Sequence, residues 1–179
     1  MTNDAQSGNA LAGSQQGTAP RDAIAPELAA LDKRLGKLVV NRFTYRLLRL
    51  LGRFLRPPFD PAGVSLTFDG EGSRRMAIVT PETRSGKGAL VLFHGGGFVF
   101  GRPEDILPKA AYFAKALGVP VICPAYRLAP QAPFPAALDD AHAAWHRMLA
   151  LAEGMGVDPA CIVVGGYSAG GGLAANLVH

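Results

Sequence analysis

The sequence predicts an α/β fold, a mostly parallel sheet with flanking helices, and three observations carry that prediction. Runs such as ALVLF (89–93) and CIVVG (161–165) are continuously apolar, as strands buried on both faces are. Stretches of helical length alternate with them, the pattern of βαβ units. Both apolar runs pass directly into glycine-rich segments, where such a fold makes its turns.

Residues 1–25 are rich in Gly, Ser, Gln, Asn and Ala, with few apolar anchors, and are expected to form a disordered tail. From Pro26 the pattern turns helical, with Leu28, Leu31, Leu35 and Leu38 recurring at spacings of three and four. A second helix is expected over 41–55, with Arg42, Arg46, Arg49, Arg53 and Arg56 on one stripe. Of the 18 Lys and Arg residues, eight lie between Lys33 and Arg56, where no acidic residue stands, and the other ten face 14 Asp and Glu. The basicity is therefore one local feature, and a nucleic-acid-binding surface is excluded. The stripe is read as the solvated face of a helix docked on the main domain; contact of the Arg42–Arg56 helix with a membrane surface, or with a partner, is the less favoured alternative. Pro57, Pro58 and Pro61 then end the helices. After them strands are expected at 65–68, 75–79, 89–93, 120–123 and 161–165, and helices at 105–117, 135–153 and from 169. The domain reading is a tail (1–25), a helical segment (26–60) and an α/β core (61–179).

An apolar share of 49% with 18% charged residues is that of a globular chain, and excludes disorder throughout. No run approaches the roughly 18 uncharged apolar residues of a membrane span, and the N-terminus lacks a signal-peptide profile, so a soluble cytoplasmic protein is expected. Cys123 and Cys161 sit in apolar runs with no ligand spacing around them, and are expected as buried free thiols. No metal site and no cofactor are expected.

The sharpest chemical signal is Gly166-Tyr167-Ser168-Ala169-Gly170, a G-x-S-x-G directly after an apolar strand and directly before a helix-compatible stretch. A serine at the tip of a tight strand-to-helix turn sits in a strained conformation, and its flanking residues must be small for strand and helix to pass. The second signal is His94-Gly95-Gly96-Gly97-Phe98, again after an apolar strand. Successive glycines leave bare backbone N–H groups that can approach a ligand oxygen, which is how an oxyanion hole is built from main chain. A nucleotide-binding loop fails on spacing, since neither G-x-G-x-x-G nor G-x-x-x-x-G-K-[ST] occurs here. His94 is read as a histidine that ties down the loop, not as a proton carrier.

These two motifs, together with Tyr126-Arg127-Leu128-Ala129-Pro130 and the following Pro133-Phe134-Pro135-Ala136-Ala137-Leu138-Asp139-Asp140, resemble the bacterial hormone-sensitive-lipase-like branch of the α/β-hydrolase fold. The similarity runs from about residue 26 to residue 179 and covers the N-terminal portion of such a protein. It implies a carboxylesterase acting on small-molecule esters without a cofactor. It implies Ser168 as nucleophile and the backbone N–H groups of Gly96, Gly97 and Ala169 as oxyanion hole, with His94, Gly95, Gly166 and Gly170 supporting the two motifs. It also implies that the helical segment belongs to a cap. Two positions depart from the family pattern: Tyr167 stands where an aspartate is usual, and Gln131-Ala132 where Glu-His is usual.

A serine hydroxyl needs a base, and that base a carboxylate. In this fold the order along the chain is Ser, then Asp or Glu, then His. None of the 11 residues after Ser168 is acidic, and their only histidine is His179. At 1.5 Å per residue along a helix it would lie about 16 Å away. His142 and His146 precede the serine and are read as surface or packing residues. The acid and base of the triad are therefore expected to be missing, and the chain to be truncated before them. The alternatives are a non-catalytic remnant that binds a ligand or partner, and one half of a split enzyme completed by another chain. A strand at 161–165 left at an open sheet edge would make the isolated chain poorly soluble or prone to associate.

Overall fold

Short β-branched runs build the sheet on which everything else is hung. The computed structural model describes residues 44–54 and 57–179; the expected tail, and residues 26–43 and 55–56 of the expected helical segment, lie outside them. Five strands, β1 (Val64–Asp69), β2 (Met76–Pro81), β3 (Ala89–Phe93), β4 (Val121–Pro124) and β5 (Ile162–Gly166), form one sheet in the order β1-β2-β4-β3-β5. The continuously apolar β3 runs parallel to both its neighbours, β4 and β5. β2 lies antiparallel between β1 and β4, so it alone opposes the general strand direction. The helices are α1 (Thr44–Phe54), α2 (Leu107–Leu117), α3 (Ala136–Ala152) and α4 (Ala169–Leu177). None of the described helices is long and apolar enough to cross a membrane.

Strand periodicity divides the interior in two. Met76 and Ile78 of β2 join Phe93, Ile122, Met148 and Leu173 in a core under α3 and α4. Ala77 and Val79 point the other way and join Val121, Cys123, Leu107, Ala110 and Ala114 under α2. Phe93 and Met148 are wholly enclosed. Burying a side chain of that size stabilises the fold by about 1.5–3 kcal/mol. α2 starts with Pro108 in its first turn and stops at Gly118, whose left-handed φ of 62° lets its N–H return to the carbonyl of Ala114.

Three expectations are corrected. Cys123 is buried as expected, and burial pushes its thiol pKa up, but Cys161 is exposed. Cys161 closes the 3₁₀ turn Pro159–Cys161, which Asp158 caps by accepting the Ala160 N–H at 3.0 Å, and the strand begins one residue later. The second correction concerns β5: its continuous apolar run implies burial on both faces, whereas Val163 is 62% exposed. Among the described strands β5 pairs only with β3, so its outer edge is unpaired.

The third is the orientation of α1. Arg46 is exposed, as a solvated stripe requires, but Arg49 turns inward: it hydrogen-bonds the side-chain carbonyl of Gln131 and lies 6.0 Å over the Tyr45 ring. Tyr45 is buried, and the carbonyl of Gly52 accepts from the guanidinium of Arg102. Leu47, Leu50 and Phe54 point outward, with exposures of 54%, 55% and 77%. The reason is local: the surface α1 meets offers Arg102 and Gln131, which pair with polar groups and not with leucines.

Candidate active site

The register of β3 against β5 places Phe93 opposite Gly166. The segments leaving these two strand ends are therefore neighbours, and they are the His94–Phe98 loop and the turn that carries Ser168. This pairing brings together motifs that stand some seventy residues apart in sequence.

Steric room at their junction decides the residue types. A methyl on Gly170 would lie 2.4 Å from the His94 carbonyl oxygen and 2.5 Å from that of Phe93. One on Gly166 would lie 2.2 Å from the backbone of Gly170, and one on Gly95 would meet the Tyr167 carbonyl at 2.9 Å and Ser168 Cβ at 3.5 Å. Strand, loop and helix are in backbone contact at all three positions. Ser168, the N-cap of α4, has φ 52° and ψ −117°, a strained conformation for a residue with a Cβ. It is exposed, and among the described residues no hydrogen bond reaches its hydroxyl.

The loop itself turns through positive φ at Gly96 (122°), Gly97 (58°) and Phe98 (61°). Gly96 gives its carbonyl to the N–H groups of Val99 and Phe100, at 3.0 and 3.1 Å. Among the described residues the N–H groups of Gly96 and Gly97 donate to no other protein group. The N–H of Ala169 lies in the first turn of α4, where helical amides have no intrahelical acceptor. The first-turn amides of α4 also present the positive end of its dipole. The site thus offers a hydroxyl on a strained turn beside free backbone donors, the parts needed to attack a carbonyl carbon and stabilise the resulting oxyanion.

His94 is 1% exposed and stacks on Tyr126, with ring centroids 4.1 Å apart at an angle of 9°. Its Nδ1 lies 2.8 Å from the carbonyl of Gly95, which can only accept, so the proton is on Nδ1. Nε2 has no hydrogen-bond partner among the described residues. Burial holds its pKa below the usual imidazole range, against the opposing pull of the Gly95 carbonyl and the Asp105 and Glu104 carboxylates. The imidazole is thus enclosed, with Nδ1 bonded to the loop's own backbone at the Gly95 carbonyl.

His142 and His146 are on the exposed side of α3, and His179 is exposed. Lys109 reaches over the Tyr167 ring at 5.1 Å, so the position that departs from the family pattern carries a cation against an aromatic face. Beyond the loop, Phe100, Gly101 and Arg102 line a cleft of about 360 Å³ together with Arg49 and Gly52 of α1. Among the described residues no three of His, Cys, Asp or Glu gather as metal ligands would. Sequence reasoning missed Tyr126 as part of this site. Its hydroxyl donates to the carbonyl of His94 at 2.8 Å across 32 residues of chain. Its place in the Tyr-Arg-Leu-Ala-Pro motif was the available signal.

Residues 90–179 match the family model described as alpha/beta hydrolase fold. The chain is 44% identical over 91 residues to an ethyl acetate hydrolase of Pseudomonas putida, covering 51% of this chain and 29% of that one. It is 32% identical over 142 residues to an acetyl-hydrolase of Streptomyces hygroscopicus, covering 79% and 44%. Human hormone-sensitive lipase is 34% identical over 132 residues, covering 71% and 12%. Among solved structures, a bacterial heroin esterase superposes with a TM-score of 0.68 at 38% identity, over 88% of this chain and 53% of that one. An arylesterase does so with a TM-score of 0.68 at 27% identity, over 84% and 52%. The chain spans about half the length of these structures, and less than half that of the curated relatives.

Proposed function

The chain belongs to the alpha/beta hydrolase fold family, and from that premise we propose that it is a carboxylic ester hydrolase whose nucleophile is Ser168. In this reading Ser168 Oγ attacks the ester carbonyl carbon as its proton passes to a base. The carbonyl oxygen becomes an oxyanion held by the N–H groups of Gly96, Gly97 and Ala169. Collapse of the tetrahedral intermediate expels the alcohol and leaves an acyl-serine, which water then hydrolyses. The observation that carries the reading is the backbone contact of the Gly95–Gly97 loop with the strained turn at Ser168.

Among residues 169–179 there is no Asp or Glu, and the one histidine is His179. Completion by another chain is favoured as a second reading by the free edge of β5, where Val163 is exposed.

The test is covalent mapping. The chain and its Ser168→Ala variant are incubated with an excess of a p-nitrophenyl phosphonate, whose tetrahedral adduct seats its oxygen in an oxyanion hole, and the labelled peptide is identified by mass spectrometry. Ser168 should be modified faster than any other serine of the chain. Equal labelling of several serines, or none at Ser168 in the folded chain, would refute its role.

A further inference from the structure

An oxyanion hole made of glycine backbone has a weakness. Glycine loses more conformational freedom on ordering than any other residue, while the donors must be held to a fraction of an ångström. Something else must fix the loop, and what holds both of its ends is one segment, Tyr126–Ala129.

At the entry to the loop, the Tyr126 hydroxyl donates to the His94 carbonyl at 2.8 Å while its ring stacks on the imidazole. His94 in turn gives Nδ1–H to the carbonyl of Gly95 at 2.8 Å, tying the first glycine to the clamped histidine. At the exit, the Ala129 N–H donates to the Phe98 carbonyl at 2.8 Å, and the Phe98 ring sits 6.4 Å from that of Tyr126. The segment is itself anchored, because buried Asp140 of α3 accepts the Arg127 N–H at 2.8 Å and its guanidinium at 2.8 Å. Phenol hydroxyls are both donors and acceptors, but a carbonyl only accepts, so Tyr126 must remain protonated to hold His94. Its burial pushes its pKa up and keeps it so.

We infer that Tyr126 is a positioning residue for the oxyanion loop, acting through the His94 carbonyl, and that residues 126–129 form a strap which sets the directions of the Gly96 and Gly97 N–H groups. The inference rests on the reading of that loop as the oxyanion hole.

Tyr126→Phe keeps the ring, the stack and the packing and deletes only the hydrogen bond. Amide hydrogen exchange in the folded chain should rise about tenfold, the worth of one hydrogen bond, at Val99 and Phe100, whose N–H groups bond to the Gly96 carbonyl and so report the order of the loop, while amides of β3, β4 and α3 keep their rates. Asp140→Asn, which loosens the strap without touching Tyr126 or the loop, should raise exchange at the same two amides by a smaller factor. In ester hydrolysis Tyr126→Phe should lower kcat about tenfold with KM within about twofold, because the donors act on the transition state. Unchanged exchange at Val99 and Phe100, or an equal rise across the whole core, would overturn the inference. If the unaltered chain showed no hydrolysis, the hydrolase reading would fall, and the exchange comparison would still decide whether Tyr126 holds the loop.

Discussion

At Ser168 the backbone is held at φ 52°, in a region where a side chain costs about 1–3 kcal/mol. The glycines on either side allow no relaxation, since a methyl at 166 or 170 would already collide with backbone. Ser168→Gly should therefore raise the free energy of unfolding by about 1 kcal/mol, read from the denaturant midpoint at unchanged slope. An unchanged or lower midpoint would mean that the turn is unstrained. His94 makes a second residue-scale prediction. Its pKa is depressed in the fold, so the unfolded chain binds the proton more readily. The stability it contributes is fully present above the ordinary imidazole value of about 6.5 and is lost as pH falls through it toward the lower folded value. In His94→Asn, where the amide can still donate to Gly95, the loss of stability between about pH 7.5 and pH 5 should shrink; an identical profile would show that other groups cause it. These two residues were legible in the sequence because their motifs are local. Tyr126 was not, since its partner lies on another strand end and nothing in the Tyr-Arg-Leu-Ala pattern says where the hydroxyl points.

Among the elements, the strands were readable because β3 and β4 are apolar on both faces, and the helix after Pro135 because its apolar spacing is regular. The sign of β2 was not readable: Met76–Pro81 is as apolar as a parallel strand, and only its partners make it antiparallel. Nor was the orientation of α1, whose arginine stripe gives no hint that the surface beneath it offers Arg102 and Gln131. α3 is fixed to the strap by Asp140, which is 6% exposed, while the Arg127 side chain is 45% exposed. Because one partner is half in water, the pair is worth less than a fully buried one. Asp140→Asn, which keeps the shape and removes the charge, should cost about 1–3 kcal/mol in chemical unfolding. A cost within a few tenths would mean that the carboxylate contributes little beyond its shape.

At the scale of the molecule, the described residues form a five-stranded sheet with helices on both faces, β5 at one edge and the candidate nucleophile turn at its end. Unpaired strand edges template pairing with other chains. The 179-residue chain is expected to self-associate through β5, and Val163→Lys, a charge on the exposed position of that strand, should shift sedimentation toward monomer. No shift would place the contact elsewhere. In the proposed reading, with no acidic residue among positions 169–179, the expected activity is the residual contribution of oxyanion hole and binding, on the order of 10³–10⁴ over water. The most direct measurement is therefore the hydrolysis of p-nitrophenyl butyrate by the folded 179-residue chain, set against its own denatured control and against Gly96→Ala. At Gly96 a methyl would lie 2.0 Å from the Phe100 carbonyl oxygen and distort the loop. The prediction is an enhancement of that residual size that Gly96→Ala largely removes; a folded chain no faster than its denatured control, or one indifferent to Gly96→Ala, would contradict it.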